Sequence, residues 1–155
     1  MRLKHLCAML CVIAAVAFAA EHANFSGSWE FNPQKSKNVG MMSQMKMIQA
    51  IEQSETALDV NTRSTFQGKD DDNKTHYDLT GKPASNESPM GGPAETVTEW
   101  QDGRLVTTWT SQSAVAGGPK VVRTETRSLS ADGKTMTVES VRGSSPALVM
   151  VFEKK

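Results

Sequence analysis

From residue 45 onward the chain sets apolar against polar positions in short runs, with turn residues between the runs. Met45, Met47 and Ile51 fall on one face at a period of two, so residues 45–53 predict a strand. A helix over 41–51 is the rival, because Met41, Met45 and Ile48 also fit a spacing near 3.6. The strand is preferred because Gln53-Ser54-Glu55 leads straight into Leu58-Asp59-Val60-Asn61-Thr62, a hairpin pattern. Two Asp-Gly pairs mark tighter hairpins. Residues 95–101 and 104–111 flank Asp102-Gly103, and residues 121–131 and 134–141 flank Asp132-Gly133. Asp-Gly suits the positive φ angles of a type I′ turn. A first strand is read at 28–32. A last one, at 147–153, is apolar through ALVMVF and is expected to be covered on both faces.

Between these runs, Gly81 to Pro93 is rich in Pro, Gly, Ser and Asn and reads as an exposed loop. The acidic run Asp70-Asp71-Asp72-Asn73 reads as a solvated hairpin turn. The total is about eight to ten antiparallel strands with little helix. Sequential hairpins favour an all-β, up-and-down antiparallel barrel, in which closure removes sticky edges.

The Asp-Gly turns also predict which side chains share a face. A two-residue turn at Asp102-Gly103 pairs Trp100 with Leu105, Thr98 with Thr107 and Thr96 with Trp109. This uncharged set, with both tryptophans, is expected to point inward. The same construction at Asp132-Gly133 pairs Leu129 with Met136, Arg127 with Val138 and Glu125 with Ser140. If that face is inward, Arg127 enters the interior, and Arg123 and Glu125 can follow it. Two readings stand here. Either the hairpin projects past the core and these charges are solvated, or they make a polar contact inside the barrel, where buried charges need partners.

The N-terminus has its own pattern. Arg2, Lys4 and His5 precede an apolar run from Leu6 to Phe18, and Ala17-Phe18-Ala19 is a small-residue cleavage site. This is the layout of a secretory signal peptide at residues 1–19, followed by a single domain at 20–155 that is exported, periplasmic or secreted. The run is too short for the roughly 20 apolar residues of a membrane helix. Cys7 and Cys11 leave with it, so the mature chain has no disulfide and no thiolate metal site. Its Lys+Arg of 15 (17 less Arg2 and Lys4) against Asp+Glu of 17 gives no basic excess for nucleic acid and none for stable membrane insertion. Oligomeric state is not legible.

Catalytic and metal motifs fail on spacing. His22 and His76 are the histidines left after cleavage, and they form no zinc set. The acidic run lacks the alternation and distal Glu of a calcium loop. Ser43-Gln44-Met45-Lys46 matches S-x-x-K without its companion motifs. Gly133-Lys134-Thr135 lies in a hairpin, not between a strand and a helix, so it is no phosphate loop. No cofactor, no metal and no catalytic residue is expected.

Phe25-Ser26-Gly27-Ser28-Trp29 puts Gly-x-Trp at the entry of the first strand. This resembles the first-strand motif of the lipocalin, or calycin, superfamily, whose Trp packs across one end of the barrel. "NFSGSWEFNPQKSKN", "TETRSLSADGKTMTV" and "VFEKK" resemble small secreted bacterial proteins with a lipocalin-like domain. The resemblance implies a barrel-floor role for Gly27 and Trp29. Fatty-acid-binding proteins are similar too, but hold a ligand carboxylate with an Arg-x-Tyr pair in the last strand. Met150 and Phe152 stand at the matching positions, so that ion pair is missing. A helix-turn-helix lid between the first two strands is also not evident.

The interior candidates are therefore Trp100, Trp109, Leu105, Arg127, Met136 and Phe152, with Met45 and Met47 adding adaptable apolar surface. They suit a non-enzymatic protein holding a small apolar or amphipathic molecule in a mainly apolar interior, with Arg127 as the cation for an anionic group. The alternatives are a structural or interaction barrel filled by its own side chains, or an isomerase or cyclase using Arg127 and Glu125.

Overall fold

The computed structural model describes residues 22–89 and 91–155; the predicted signal segment, 1–19, lies outside them. Ten strands form: β1 Gly27–Phe31, β2 Lys46–Gln53, β3 Ala57–Phe66, β4 Lys69–Asp78, β5 Ala84–Glu87, β6 Pro93–Gln101, β7 Arg104–Ser111, β8 Val121–Leu129, β9 Thr135–Val141 and β10 Leu148–Lys154. They make one antiparallel sheet in the order β4-β3-β2-β1-β10-β9-β8-β7-β6-β5. Neighbours in sequence pair with one another, except β4 and β5, which are the two ends of the sheet. β1 joins β10 instead, with Trp29 opposite Lys154 and Phe31 opposite Phe152. The sheet curls into an almost closed all-β barrel.

Period-two burial builds the core. In β2, Met47, Gln49 and Ile51 are buried while Lys46, Ile48, Ala50 and Glu52 are exposed. In β3, Leu58, Val60 and Ser64 are buried on the same side. The strand reading of 45–53 therefore holds and the helix over 41–51 does not form. A single 3-10 turn, Gly40–Gln44, is what the Met41-Met42 region contributes to the β1–β2 connection. No helical lid lies there.

Three local readings are corrected. The stretch from Gly81 to Pro93 is not wholly loop, since β5 forms within it and pairs Ala84 with Thr96. The acidic run is not a turn. Asp70, Asp71 and Asp72 sit within β4, and the turn is Gln67-Gly68, with φ of 50° and 77°. All three aspartates are exposed at the sheet's end, where charge discourages pairing with another chain. The turn at Asp102-Gly103 has the expected pair of positive φ values, 49° and 75°. At Asp132-Gly133 only the glycine does, at 67°. There the Gly133 N–H bonds the Ser130 carbonyl at 2.9 Å, and Asp132 Oδ1 accepts from the Ser130 hydroxyl at 2.6 Å and the Lys134 N–H at 3.1 Å. The turn spans more residues than a type I′ pair but preserves parity, so Leu129 still pairs with Met136.

Asn86 bridges the seam between β4 and β5. Asn86 Oδ1 accepts from the His76 N–H at 2.9 Å, and Asn86 Nδ2 donates to the His76 carbonyl at 2.8 Å. The amide stands where the peptide group of a neighbouring strand would. The same Nδ2 also donates to Thr96 Oγ1 at 2.8 Å, tying the bridge to β6.

The opposite question, what closes the barrel floor, is answered by the segment before β1. Trp29 and Phe25 are both fully buried, and the Trp29 indole N–H donates to the Phe25 carbonyl at 2.8 Å. Gln53 holds the same segment, accepting from the Phe25 N–H at 2.8 Å and donating to the Ala23 carbonyl at 3.0 Å. Gly27 has φ of 132°, which few side chains adopt, and a Cβ there would lie 3.1 Å from Lys154 Cε. The glycine lets Lys154 reach over Trp29, with its ammonium 5.2 Å from the ring centre.

Candidate functional site

Inward residues of β7, β8 and β9 stack in layers moving away from the floor. The first layer holds Leu105, Arg127 and Val138. The second holds Thr107, Glu125 and Ser140. The third holds Trp109 and Arg123. Within the first two layers, the β8–β9 pairs Arg127–Val138 and Glu125–Ser140 match the pairing expected from the Asp132-Gly133 turn. Tyr77 of β4 and Gln49 of β2 complete a polar cluster across the barrel.

The charges are inside. Arg127 is 4% exposed and Glu125 is 7% exposed. Arg127 Nη1 donates to Gln49 Oε1 at 3.2 Å and contacts Met136 Sδ at 3.3 Å, while Nη2 donates to Glu125 Oε1 at 3.4 Å. The Tyr77 hydroxyl donates to the same carboxylate oxygen at 3.2 Å. The Tyr77 ring also lies beneath Arg127, 5.8 Å from the guanidinium carbon. Burial pushes the Tyr77 phenol pKa well above its ordinary value, and the neighbouring Glu125 charge adds to the rise.

Arg123 is less committed. Its guanidinium lies 4.7 Å from the Trp109 ring centre, and Trp109 in turn meets Tyr77 edge-on at 6.0 Å. Arg123 Nη2 is 3.9 Å from Glu125 Oε2, an ionic contact beyond hydrogen-bond reach. Both Arg123 Nη2 and Trp109 Nε1 are buried donors without a hydrogen-bond partner.

The six interior candidates separate into groups. Leu105, Arg127 and Met136 are brought together around the polar cluster. Phe152 is buried nearer the floor, 5.6 Å from Phe31. Trp109 belongs to the Arg123 layer. Trp100 shares a face with Trp109 but lies at the other end of the β6–β7 hairpin, stacked on His22 at 4.2 Å and near Phe25 at 6.2 Å. The two tryptophans do not sit side by side. Gly27 and Trp29 lie at the floor, as described.

The interior is apolar near the floor and polar above it. Thr98 and Thr107 share a hydrogen bond of 2.9 Å across the β6–β7 pair, and Thr96, Gln49 and Ser140 are also buried. Gln49 and Tyr77 were not singled out from the sequence. Gln49 follows from the Met47–Ile51 face, but nothing local links Tyr77 to a strand far along the chain. Outside the barrel, a groove of about 700 Å³ runs along the β4–β5 seam, lined by Asp59, Asn61, His76 and Asn86 among others. His76 Nδ1 pairs there with Asp59 Oδ1 at 2.7 Å, and both side chains are exposed. No metal-binding cluster occurs among the described residues.

The fold is similar to that of solved fatty-acid-binding β-barrels. Fatty-acid-binding protein 1 of Echinococcus granulosus superposes with a TM-score of 0.64 at 14% identity, covering 84% of this chain and 96% of that one. A structure described as the REP1-NXSQ fatty acid transporter gives 0.62 at 14% identity, over 84% and 95%. The N57A mutant of the fluorescent protein UnaG gives 0.63 at 13% identity, over 84% and 96%. No family model matches the sequence, and neither does any curated protein.

Proposed function

We propose that the protein is an exported, non-enzymatic carrier that holds a small, mainly apolar molecule inside the barrel. The observation that carries this reading is the buried Arg127–Glu125–Tyr77–Gln49 cluster, within a barrel of fatty-acid-binding shape. Buried ions contribute little net stability compared with apolar residues of the same size. A barrel filled only for strength gains little net stability from two arginines and a glutamate on one wall. A carrier uses them to orient a ligand whose body lies against apolar side chains. Export is supported by the basic, apolar and small-residue order of residues 1–19.

One observation favours a filled barrel instead. Arg127, the cation first suggested for the ligand, is already engaged by Gln49, Glu125 and Met136. Native mass spectrometry of the protein from the exported fraction separates the two readings. The carrier reading expects a chain starting near Ala20 with a small molecule retained under gentle ionisation. A chain of bare mass that also takes up no fluorescent apolar probe supports the filled barrel. A full-length or lipid-modified mass rejects soluble export.

A further inference from the structure

His22 stands third from the terminus that signal cleavage would create. Cleavage after Ala17-Phe18-Ala19 gives a chain that begins Ala20-Glu21-His22. His22 is exposed, and its ring lies flat on Trp100, with the ring centres 4.2 Å apart and the planes 10° apart. A ring stacked by its face keeps its edge, and so both nitrogens, clear of the indole. Neither ring nitrogen is hydrogen-bonded among the described residues. The segment just behind His22 is anchored to the barrel floor. Gln53 donates to the Ala23 carbonyl at 3.0 Å and accepts from the Phe25 N–H at 2.8 Å, and the Ser26 N–H donates to Asn24 Oδ1 at 2.9 Å. These bonds hold His22 in place without using its own main-chain N–H.

We infer that the terminus Ala20-Glu21-His22 binds one Cu(II) ion in a square plane of nitrogens. The donors are the Ala20 amine, the main-chain nitrogens of Glu21 and His22, and His22 Nδ1. The site goes beyond the carrier reading and rests only on its export clause, with cleavage after Ala19. Connectivity makes the donor set: a histidine in third place closes fused chelate rings through the main chain, and one in second or fourth place does not close this set. Both amides can serve, because neither Glu21 nor His22 is proline. The ion displaces both amide protons to solvent, so two anionic nitrogens neutralise its charge. The amine binds in its neutral form, releasing a further proton where it was an ammonium. A plane of nitrogens suits Cu(II), and Ni(II) less tightly, whereas zinc favours a tetrahedron. The small number of histidines excludes a zinc set but not this site, whose other donors are the terminal amine and the main chain. An imidazole lies close to the plane of the metal it binds, so Trp100 flanks the ion on one side.

The test uses the protein purified from the exported fraction, its first residue fixed by intact mass, with copper sulfate as the probe. One equivalent is expected to bind, with the violet absorption of square-planar, nitrogen-coordinated Cu(II) and a fall in tryptophan emission, because the site lies against Trp100. His22→Ala should weaken binding at least about 100-fold, more than the loss of an outer-shell partner costs. A chain with one alanine added before Ala20 keeps every side chain and should lose the violet band as fully, which guards against a loss caused by misfolding. Trp100→Phe should keep the band and lose the larger part of the quenching; quenching left whole puts the ion away from that ring and overturns its placement. A chain that begins at Ala20 and shows no violet band overturns the site while export and the carrier reading stand. A band that survives His22→Ala or the added alanine overturns it too, since the ion then sits elsewhere, such as at His76 and Asp59. An exported, cleaved chain with a first residue other than Ala20 overturns the site alone. An uncleaved mass overturns export and the site together.

Discussion

Replacing Arg127 with methionine tests whether the polar cluster is a single buried unit. Methionine keeps much of the apolar stem but removes the guanidinium. Glu125, 7% exposed, then retains the Tyr77 hydroxyl at 3.2 Å and Arg123 at 3.9 Å, and Gln49 Oε1 loses its 3.2 Å donor. Breaking one partner of a buried ion pair costs about 3–5 kcal/mol, because the remaining charge stays desolvated. That is a large part of the roughly 5–15 kcal/mol by which a domain is stable. Adding Glu125→Gln removes the stranded charge, so the double variant should be more stable than Arg127→Met alone by about 2 kcal/mol or more. Urea unfolding followed by tryptophan emission measures both, provided the slopes agree. If Arg127→Met unfolds within about 1 kcal/mol of the parent, Arg127 is solvated and the inward placement of β8 is wrong.

Three further outcomes are expected. Trp29→Ala should cost about 3–5 kcal/mol, and Trp29→Phe about 1–3 kcal/mol from the Phe25 carbonyl left without its donor, whereas melts overlaying the parent would remove Trp29 from the floor. Tyr77 is the chain's single tyrosine, so tyrosinate absorbance reports it alone. Its phenol pKa is raised in the native state, so above pH about 10 only the unfolded phenol ionises and stability falls as pH rises. Absorbance should stay silent until unfolding, and Tyr77→Phe should flatten the alkaline loss; an early native titration would contradict the burial. Asn86→Leu should speed hydrogen exchange at the His76 amide while leaving amides of the β8–β9 pair protected, and unchanged exchange at His76 would mean the seam does not depend on that amide.

Much of this architecture was legible because turns act locally. Asp102-Gly103 specifies a geometry that only certain residues adopt, and the inward face of β6 and β7 follows from it by parity. The second hairpin kept its parity although its turn is longer, so Arg127 and Glu125 were placed on the face that proved buried. Parity says nothing about depth. Trp100 and Trp109 share a face yet stand at opposite ends of the hairpin, because the end that meets the N-terminal segment is set by contacts far away in sequence. β5 was missed for another reason. Ala-Ser-Asn-Glu has no apolar alternation, and its pairing is dictated by β6. The Tyr77–Glu125 contact joins β4 to β8 across the barrel, a relation that no local spacing encodes.

The pairing of β1 with β10 sets when this fold can form. Hairpins such as β2–β3 and β6–β7 need only adjacent residues. The first strand, by contrast, receives its second neighbour from residues 148–154. The chain must therefore meet a large loop-closure entropy before that ladder gives anything back, a topology associated with slow folding. Until then the floor tryptophan has half its strand partners and the two halves of the sheet are held apart. The barrel therefore closes only once its last strand, Leu148–Lys154, is in place.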